Sequence, residues 1–312
     1  MTGGHLPMGE GREFDAIRAM LQVWGARARG IGDDAAVLDV PAGQRLVVST
    51  DASVEGVHFR REWLTPEEVG GRATVAALSD IAAMGALPIG MLLALAVPQD
   101  WMAKVVALSR GVGDAAAAAG CPIVGGNVSR AKELSVTITV LGTAARPLLR
   151  TGVQPGDAMY VTGRLGGPRA AVRAWMDGST PHVEHRARFA TPRPRIAEGR
   201  WLADAGCHAG IDISDGLIAD AGHLALASGV ALDLDLTGLP CVKAVTLEEA
   251  ASGGEEYELL VAAPVGGGVD PISFEQRFGV PLTMIGTARE GSGIAIRGAT
   301  RVDLPRGHDH FS

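Results

Sequence analysis

The chain has 312 residues, enough for two domains of ordinary size, each with its own core. Its net charge of −7 excludes broad electrostatic capture of nucleic acid, which needs a basic face. A 47% hydrophobic fraction excludes disorder, and with only 4% aromatic residues the cores must be built from Ala, Val, Leu and Ile.

The 43 glycines indicate many tight turns and close backbone approaches. No apolar run approaches the roughly 18 residues of a membrane span. Met1 to Glu10 lacks the charged start and apolar stretch of a signal peptide. Cys121, Cys207 and Cys241 are far apart and form no CxxC pair, so neither a zinc site nor a disulfide framework is expected. Thiols of this kind fit a reducing compartment, and a cytoplasmic location is the expectation.

In chain order, Ala36-Val37-Leu38 and Leu46-Val47-Val48 read as short strands, each beside an acidic or hydroxyl cluster. Thr65-Pro66-Glu67-Glu68 opens a helix, with Thr65 as N-cap, Pro66 first in the helix and Glu68 closing a capping box. Gly85 and Pro88 end it. Met91 to Val97 is a continuous apolar strand, and a helix follows from about Trp101 to Gly120. Pro122-Ile123-Val124 is a strand running into a glycine turn at Gly125-Gly126-Asn127, where backbone N–H groups could reach phosphate. Leu134 to Val140 alternates as a half-buried strand.

The pattern breaks around residues 144–155, which suggests two mixed α and β halves, 1–146 and 147–312. Ala158 to Val161 is a strand leading through Gly163 to Gly167 into a helix ending near Met176. Thr180 to Pro194 is polar, proline-marked and read as an exposed connection. A helix near Ile196 to Ala205 follows. Ile211 to Gly216 turns a strand into the next helix, and Leu259 to Val261 and Leu282 to Ile285 are late strands.

Five acidic clusters stand at the edges of these apolar runs: Gly32-Asp33-Asp34, Ser49-Thr50-Asp51, Ser79-Asp80, Asp212-Ile213-Ser214-Asp215 and Gly254-Glu255-Glu256. Carboxylates gathered this way repel unless a cation lies between them, and oxygen-only clusters suit magnesium. Phosphates are the usual reason for needing several such ions, so the acidic balance favours metal-mediated phosphate capture. Asp80 lies on the apolar stripe of its helix with Val69, Ala73, Ala76 and Met84; pairing with an arginine such as Arg72 is the alternative to a metal role. Asp215 could be an N-cap, whereas Asp212 has no such structural explanation.

Gly30-Ile31-Gly32-Asp33-Asp34-Ala35 fits a dinucleotide fingerprint only superficially, because the following residues read as extended and two carboxylates would face the pyrophosphate. None of the three lysines, Lys104, Lys132 and Lys243, sits in a Walker A loop, and protein-kinase motifs are missing.

Taken together the motifs resemble thiamine-monophosphate kinases, of the superfamily that includes aminoimidazole ribonucleotide synthetase and selenophosphate synthetase. The resemblance runs from Gly9-Glu10 and Phe14 through the acidic clusters, Val54 to Phe59 with His58, Leu78 to Gly85, and Ser252 to Leu259. Selenophosphate synthetase would carry a reactive cysteine near its N-terminus, whereas the earliest here is Cys121. The hydrogenase-maturation relative carries a C-terminal cysteine, whereas this chain ends His308-Asp309-His310-Phe311-Ser312.

The resemblance implies an α/β (α+β) fold whose N-terminal domain forms a β-barrel across a homodimer, with a C-terminal α/β domain over it. It implies ATP-dependent phosphorylation of thiamine monophosphate, several Mg²⁺ ions, and ATP and substrate meeting in a cleft. Asp34, Ser49, Thr50, Asp51, Asp80, Asn127, Asp212 and Asp215 would hold metals. Gly126, Asn127, Arg150 and Ser214 would touch the nucleotide, and His58, Glu255 and Leu304 the substrate. The alternatives are a superfamily relative acting on another phosphate or amide acceptor, and a non-catalytic nucleotide-binding relative. Asn127 stands where the family has Asp, and Leu304 where the family has an aromatic that stacks on thiamine.

Overall fold

The fold is given by a computed structural model that describes residues 12–31 and 34–298. Gly9, Glu10, Gly32, Asp33 and Leu304 lie outside the described residues. The chain divides into two compact units, one holding the described residues up to Ile81 and Leu87–Ala145, the other Ala82–Ala86 and the described residues from Arg146.

The first unit contains α1 (Arg12–Trp24), β1 (Arg45–Val54), α2 (Pro66–Ala83) as far as Ile81, β2 (Leu87–Val97), α3 (Val105–Ala118), β3 (Ile123–Arg130) and β4 (Ser135–Ala144). Its four strands form a sheet in the order β1-β4-β2-β3, antiparallel except for the β2–β3 pair. Registers align Ser49, Val140 and Met91 on one rung, Asp51, Ile138 and Leu93 on another, and Ser53, Val136 and Leu95 on a third. The apolar members of these rungs are buried, so alternation puts Ser49 and Asp51 on the core face.

The other face carries Leu46 and Val48, 49% and 55% exposed, with Thr50, Ala52, Thr137 and Thr139. Among the described residues the sheet is open, with β1 and β3 as its edges; a single chain closes no barrel.

Helix α2 begins as its capping box requires: Glu68 N–H donates to Thr65 Oγ1 at 3.2 Å and Thr65 N–H to Glu68 Oε2 at 2.8 Å. It crosses α3 at backbone contact distance. A Cβ on Gly70 would lie 2.1 Å from the Leu108 carbonyl oxygen, and one on Gly111 1.8 Å from that of Glu67. This close crossing fixes α2, and therefore Asp80, against α3.

Two expectations for this unit are overturned. Ala36-Val37-Leu38 forms no strand: three apolar residues find no partner strand, and Val37 is 94% exposed. Gly125-Gly126-Asn127 is not a turn but the middle of β3. There β2 supplies the ladder, and a Cβ at Gly126 would fall 2.1 Å from the Leu93 carbonyl oxygen. Strand packing accounts for that glycine. The helix expected from Trp101 opens as a 3-10 segment, Gln99–Lys104, before α3.

The second unit contains β5 (Asp157–Thr162), α4 (Gly167–Met176), α5 (Val183–Ala190), α6 (Ile196–Asp204), β6 (Ala209–Asp212), α7 (Leu217–Ser228), β7 (Ala231–Asp235), α8 (Leu247–Ser252), β8 (Leu259–Pro264), α9 (Pro271–Phe278), β9 (Leu282–Arg289) and β10 (Gly293–Arg297). Six strands pair in the order β10-β7-β9-β5-β8-β6. Only β10–β7 is parallel. Met159, Val161, Ile211, Ile213, Leu217, Leu224, Leu232 and Leu260 belong to one buried cluster beneath this sheet.

The expected exposed connection at Thr180 to Pro194 contains α5 instead. Its polar sequence hides a four-residue repeat of buried side chains, His185 and Phe189. His185 Nε2 lies 2.8 Å from the Lys243 carbonyl oxygen, and Phe189 meets Trp175 edge-on at 5.4 Å. Strands β7 and β10 and helices α1, α8 and α9 had no counterpart in the sequence reading.

Candidate functional site

In the first unit, strand and helix bring acids together. Ser49 on β1 donates a short hydrogen bond to Asp80 Oδ2 on α2, and Asp51 shares Ser49's face two residues on. Ser49 is held in the ladder opposite Val140, and Asp80 by the helix crossing at Gly70 and Gly111. Both donors are oxygens on rigid elements, the ligand chemistry that suits Mg²⁺.

Thr50 points to the opposite face, where its Oγ1 lies 3.0 Å from Thr139 Oγ1. Asn127 is on that same face. It shares a rung with Ala94, Thr137 and Ala52, three strand spacings from β1, roughly 14 Å. Asp34 is exposed in a segment without regular structure. The sheet therefore gathers Ser49, Asp51 and Asp80, and sets the side chains of Thr50 and Asn127 on its other face.

His58 follows β1 in a tight loop. Its own N–H donates to the Val54 carbonyl at 2.9 Å, and its Nδ1 accepts the Val54 N–H at 3.1 Å. With Nδ1 accepting, the neutral ring carries its hydrogen on Nε2, a donor suited to an anionic ligand. The neighbouring Glu55 is committed to Arg61, whose guanidinium also donates to Asp100 Oδ2 at 2.6 Å.

In the second unit, the acids sit on a turn. Asp212 is the last residue of β6, paired with Leu259, and is buried. Ser214 is exposed and Asp215 half-buried before α7, whose N-cap is Gly216 rather than Asp215. Asp220, in the first turns of α7, reaches back to this segment. Its Oδ2 accepts the backbone N–H of Ser214, Asp215 and Gly216 at 3.0, 3.1 and 3.1 Å.

Burial, then the charges of Asp212 and Asp215, push the Asp220 carboxyl up to about 7, against the lowering effect of those N–H donors. Ligand atoms of Asp215, Asp220 and His223 lie within 4.8 Å of one another. Carboxylates crowded in this way fit a hard divalent cation.

The carbonyl side of the turn is held by the segment before β8. Glu255 N–H donates to the Ser214 carbonyl at 2.7 Å, and Glu256 and Tyr257 N–H donate to that of Ile213 at 3.1 and 3.0 Å. A Cβ on Gly254 would lie 2.3 Å from the Ser214 carbonyl oxygen, so only glycine fits there. Glu255 and Tyr257 adopt left-handed backbone, φ 68° and 53°, a strain of about 1–3 kcal/mol each that gathers at functional sites. Glu255 Oε2 accepts the Tyr257 hydroxyl at 2.8 Å. Arg150 opens a short turn at Arg150–Gly152, is exposed, and its carbonyl accepts from Ser228 Oγ at 2.7 Å.

Sequence reasoning passed over Asp220, His223 and Tyr257. Asp220 was detectable by the criterion applied to Asp80: it lies on the buried stripe of its helix with Leu217, Ala221 and Leu224.

Residues 32–144 match the family described as AIR synthase related protein, N-terminal domain. The chain is 36% identical over 321 residues to the thiamine-monophosphate kinase of Salmonella typhimurium, covering 96% of each chain. The crystal structure of the thiamine-monophosphate kinase from Stenotrophomonas maltophilia K279a superposes with a TM-score of 0.82 at 32% identity, over 91% of this chain and 97% of that one. AaThiL complexed with AMPPCP and TMP superposes with a TM-score of 0.78 at 30% identity, over 98% and 100%. Likeness of this degree, along nearly the whole length, means that the chain belongs to the thiamine-monophosphate kinase family.

Proposed function

We propose that the chain transfers the γ-phosphoryl group of ATP to the phosphate of thiamine monophosphate, giving thiamine diphosphate and ADP. One observation carries the chemistry: Asp212, Asp215 and Asp220 crowd a single turn at a helix start. Family membership supplies the substrates. A relative structure holding both AMPPCP and TMP supports the pair of ligands.

An oxygen of the acceptor phosphate attacks the γ-phosphorus, and the bond from that phosphorus to the bridging oxygen of ADP breaks. The acceptor is already an anion, so no residue need remove a proton. The obstacle is repulsion: at an effective dielectric near 20, two unit charges about 4 Å apart repel by roughly 4 kcal/mol. Bound Mg²⁺ would supply neutralisation of these charges and alignment of the phosphates.

Its holders are proposed as Asp34, Ser49, Thr50, Asp51, Asp80 and Asn127 in the first unit and Asp212 and Asp215 in the second. Asn127 adds an amide oxygen but no charge, and the side chains of Thr50 and Asn127 face away from Asp51, so these two are the weaker members. Gly126, Asn127, Arg150 and Ser214 are assigned to the nucleotide. His58, through Nε2–H, and Glu255 are assigned to the thiamine phosphate; Leu304 lies outside the described residues.

A homodimer is part of this reading, supported by the half-exposed Leu46 and Val48 on the open face of the four-stranded sheet. So is a cytoplasmic setting; among the described residues no helix is long and apolar enough to cross a membrane. The test is ADP release measured with and without thiamine monophosphate in the presence of Mg²⁺. Release that depends on thiamine monophosphate is expected. Release indifferent to it would sink the substrate assignment, and no release at all would sink the kinase.

A further inference from the structure

The turn that carries Asp212 and Asp215 has its backbone groups committed on both sides. Its carbonyls at Ile213 and Ser214 accept from the N–H groups of residues 255–257. Its N–H groups at Ser214, Asp215 and Gly216 converge on one oxygen, Asp220 Oδ2, at 3.0–3.1 Å. Three successive amides of this kind form an anion-binding concavity, the feature by which many proteins hold a phosphate. Here the concavity is filled from within the chain. Asp220 is 1% exposed, so its carboxylate meets those donors from the buried side of the turn.

We infer that Asp220 is a positioning residue for the phosphoryl transfer: it takes the place of a phosphate in the backbone nest and fixes the turn so that Asp212 and Asp215 are presented in one geometry. The inference rests on the kinase reading for its catalytic consequence, but not for its structural one. Two features show that the turn needs such a prop. A Cβ on Gly216, at φ 117°, would lie 2.8 Å from the Ser252 carbonyl oxygen, so the main chain runs hard against the α8 end. Glu255 and Tyr257, which hold the turn's other side, sit in strained left-handed conformations. Such strain persists only where surrounding bonds over-determine the backbone.

A consequence is that phosphates at this turn must be held through the side chains of Asp212, Ser214 and Asp215 and the ions they bind. The three amides are already used. The helix start therefore serves the acids rather than the ligand.

The test uses Asp220→Asn in the full chain, which keeps the shape and removes the charge. In the metal-free protein, hydrogen exchange of the Ser214, Asp215 and Gly216 amides should quicken at least tenfold, while those of β8 stay unchanged. In turnover with ATP and thiamine monophosphate, kcat should fall about 100-fold and the Mg²⁺ concentration for half-maximal rate should rise about tenfold, with the KM for thiamine monophosphate within twofold.

A lowered melting temperature with kcat and Mg²⁺ dependence unchanged would make Asp220 merely structural and overturn the inference. Loss of one whole equivalent of bound Mg²⁺ in calorimetric titration would make it a ligand, which also overturns it. If Asp220→Asn does not fold, Asp220→Glu, which keeps the charge but shifts it by one methylene, is read by the same criteria. Absence of wild-type turnover would defeat the kinase reading alone, since the exchange measurement needs no substrate.

Discussion

The two units hold their acids by different means. In the first, Ser49, Asp51 and Asp80 stand on a paired strand and a long helix, and packing fixes them: the ladder from β1 to β4, and a helix crossing so close that Gly70 and Gly111 admit no side chain. In the second, Asp212 and Asp215 stand at a turn, and polar contacts fix them: Asp220 on the N–H side, residues 255–257 on the carbonyl side, and Glu258 beyond. Regular elements orient a carboxylate as a by-product of core formation. A turn forms no ladder, so although Ile213 is anchored in the core its backbone groups must be met individually, and other buried charges are recruited to do it.

Glu258 is the heaviest of these recruits. Buried at 1% exposure, its carboxylate accepts from Arg195 Nε at 2.7 Å and Nη2 at 2.5 Å, from Arg188 Nη1 at 3.2 Å and from Thr162 Oγ1 at 2.7 Å. Its carbonyl accepts the Ile213 N–H at 2.8 Å. Glu258→Gln should leave the Arg195 guanidinium with Glu198 as its remaining carboxylate and cost about 3 kcal/mol, read as a drop in denaturant midpoint. A change under about 1 kcal/mol would show that the second unit does not depend on buried polar contacts as argued.

Next in size is Asp212→Asn, for which turnover with ATP and thiamine monophosphate should fall about 100- to 1000-fold, roughly 3–4 kcal/mol of barrier, with the circular dichroism spectrum unchanged. Near-normal turnover would remove Asp212 from the metal-holding set. Gly111→Ala probes the first unit. Its Cβ would meet the Glu67 carbonyl oxygen at 1.8 Å, forcing α2 and α3 apart at about 2–3 kcal/mol and moving Asp80. Unaltered stability and rate would contradict the packing account.

His58→Ala should raise the KM for thiamine monophosphate about tenfold, near 1.4 kcal/mol, and leave nucleotide affinity within twofold. Equal loss of both would contradict its assignment. The smallest effect concerns the thiols. Burial pushes Cys121 and Cys207 up to about 12, so at pH 8 about one in 10⁴ is thiolate, the reactive form. Neither should be alkylated in the folded protein, and raising the pH to 9 should not change that; modification of either without unfolding would show that unit to open locally.

Much of the site was legible because carboxylates are conspicuous where apolar residues are expected. Asp80 interrupts the stripe of α2, and Asp212 ends a buried strand with no turn or cap to explain it. The capping box at Thr65 and Glu68 is a local signal and formed as such. What was misread depended on partners distant in the chain. Gly125-Gly126-Asn127 looked like a turn because two glycines favour one, yet β2 captured the segment as an edge strand. Val183–Ala190 looked exposed because it lies in a polar, proline-marked stretch, yet two buried rings at i and i+4 anchor the helix.

The order of residues was enough to decide the mixed α/β class and the family, because periodicity, caps and short motifs are written in neighbours a few positions apart. Which face each acid occupies was decided only by folding. Ser49 and Thr50 are adjacent yet turn to opposite sides of a sheet, and Asp220 lies five residues past Asp215 yet fills the nest behind it. Those outcomes depend on strand register and on backbone donors converging in space, and neither exists until the chain is closed upon itself.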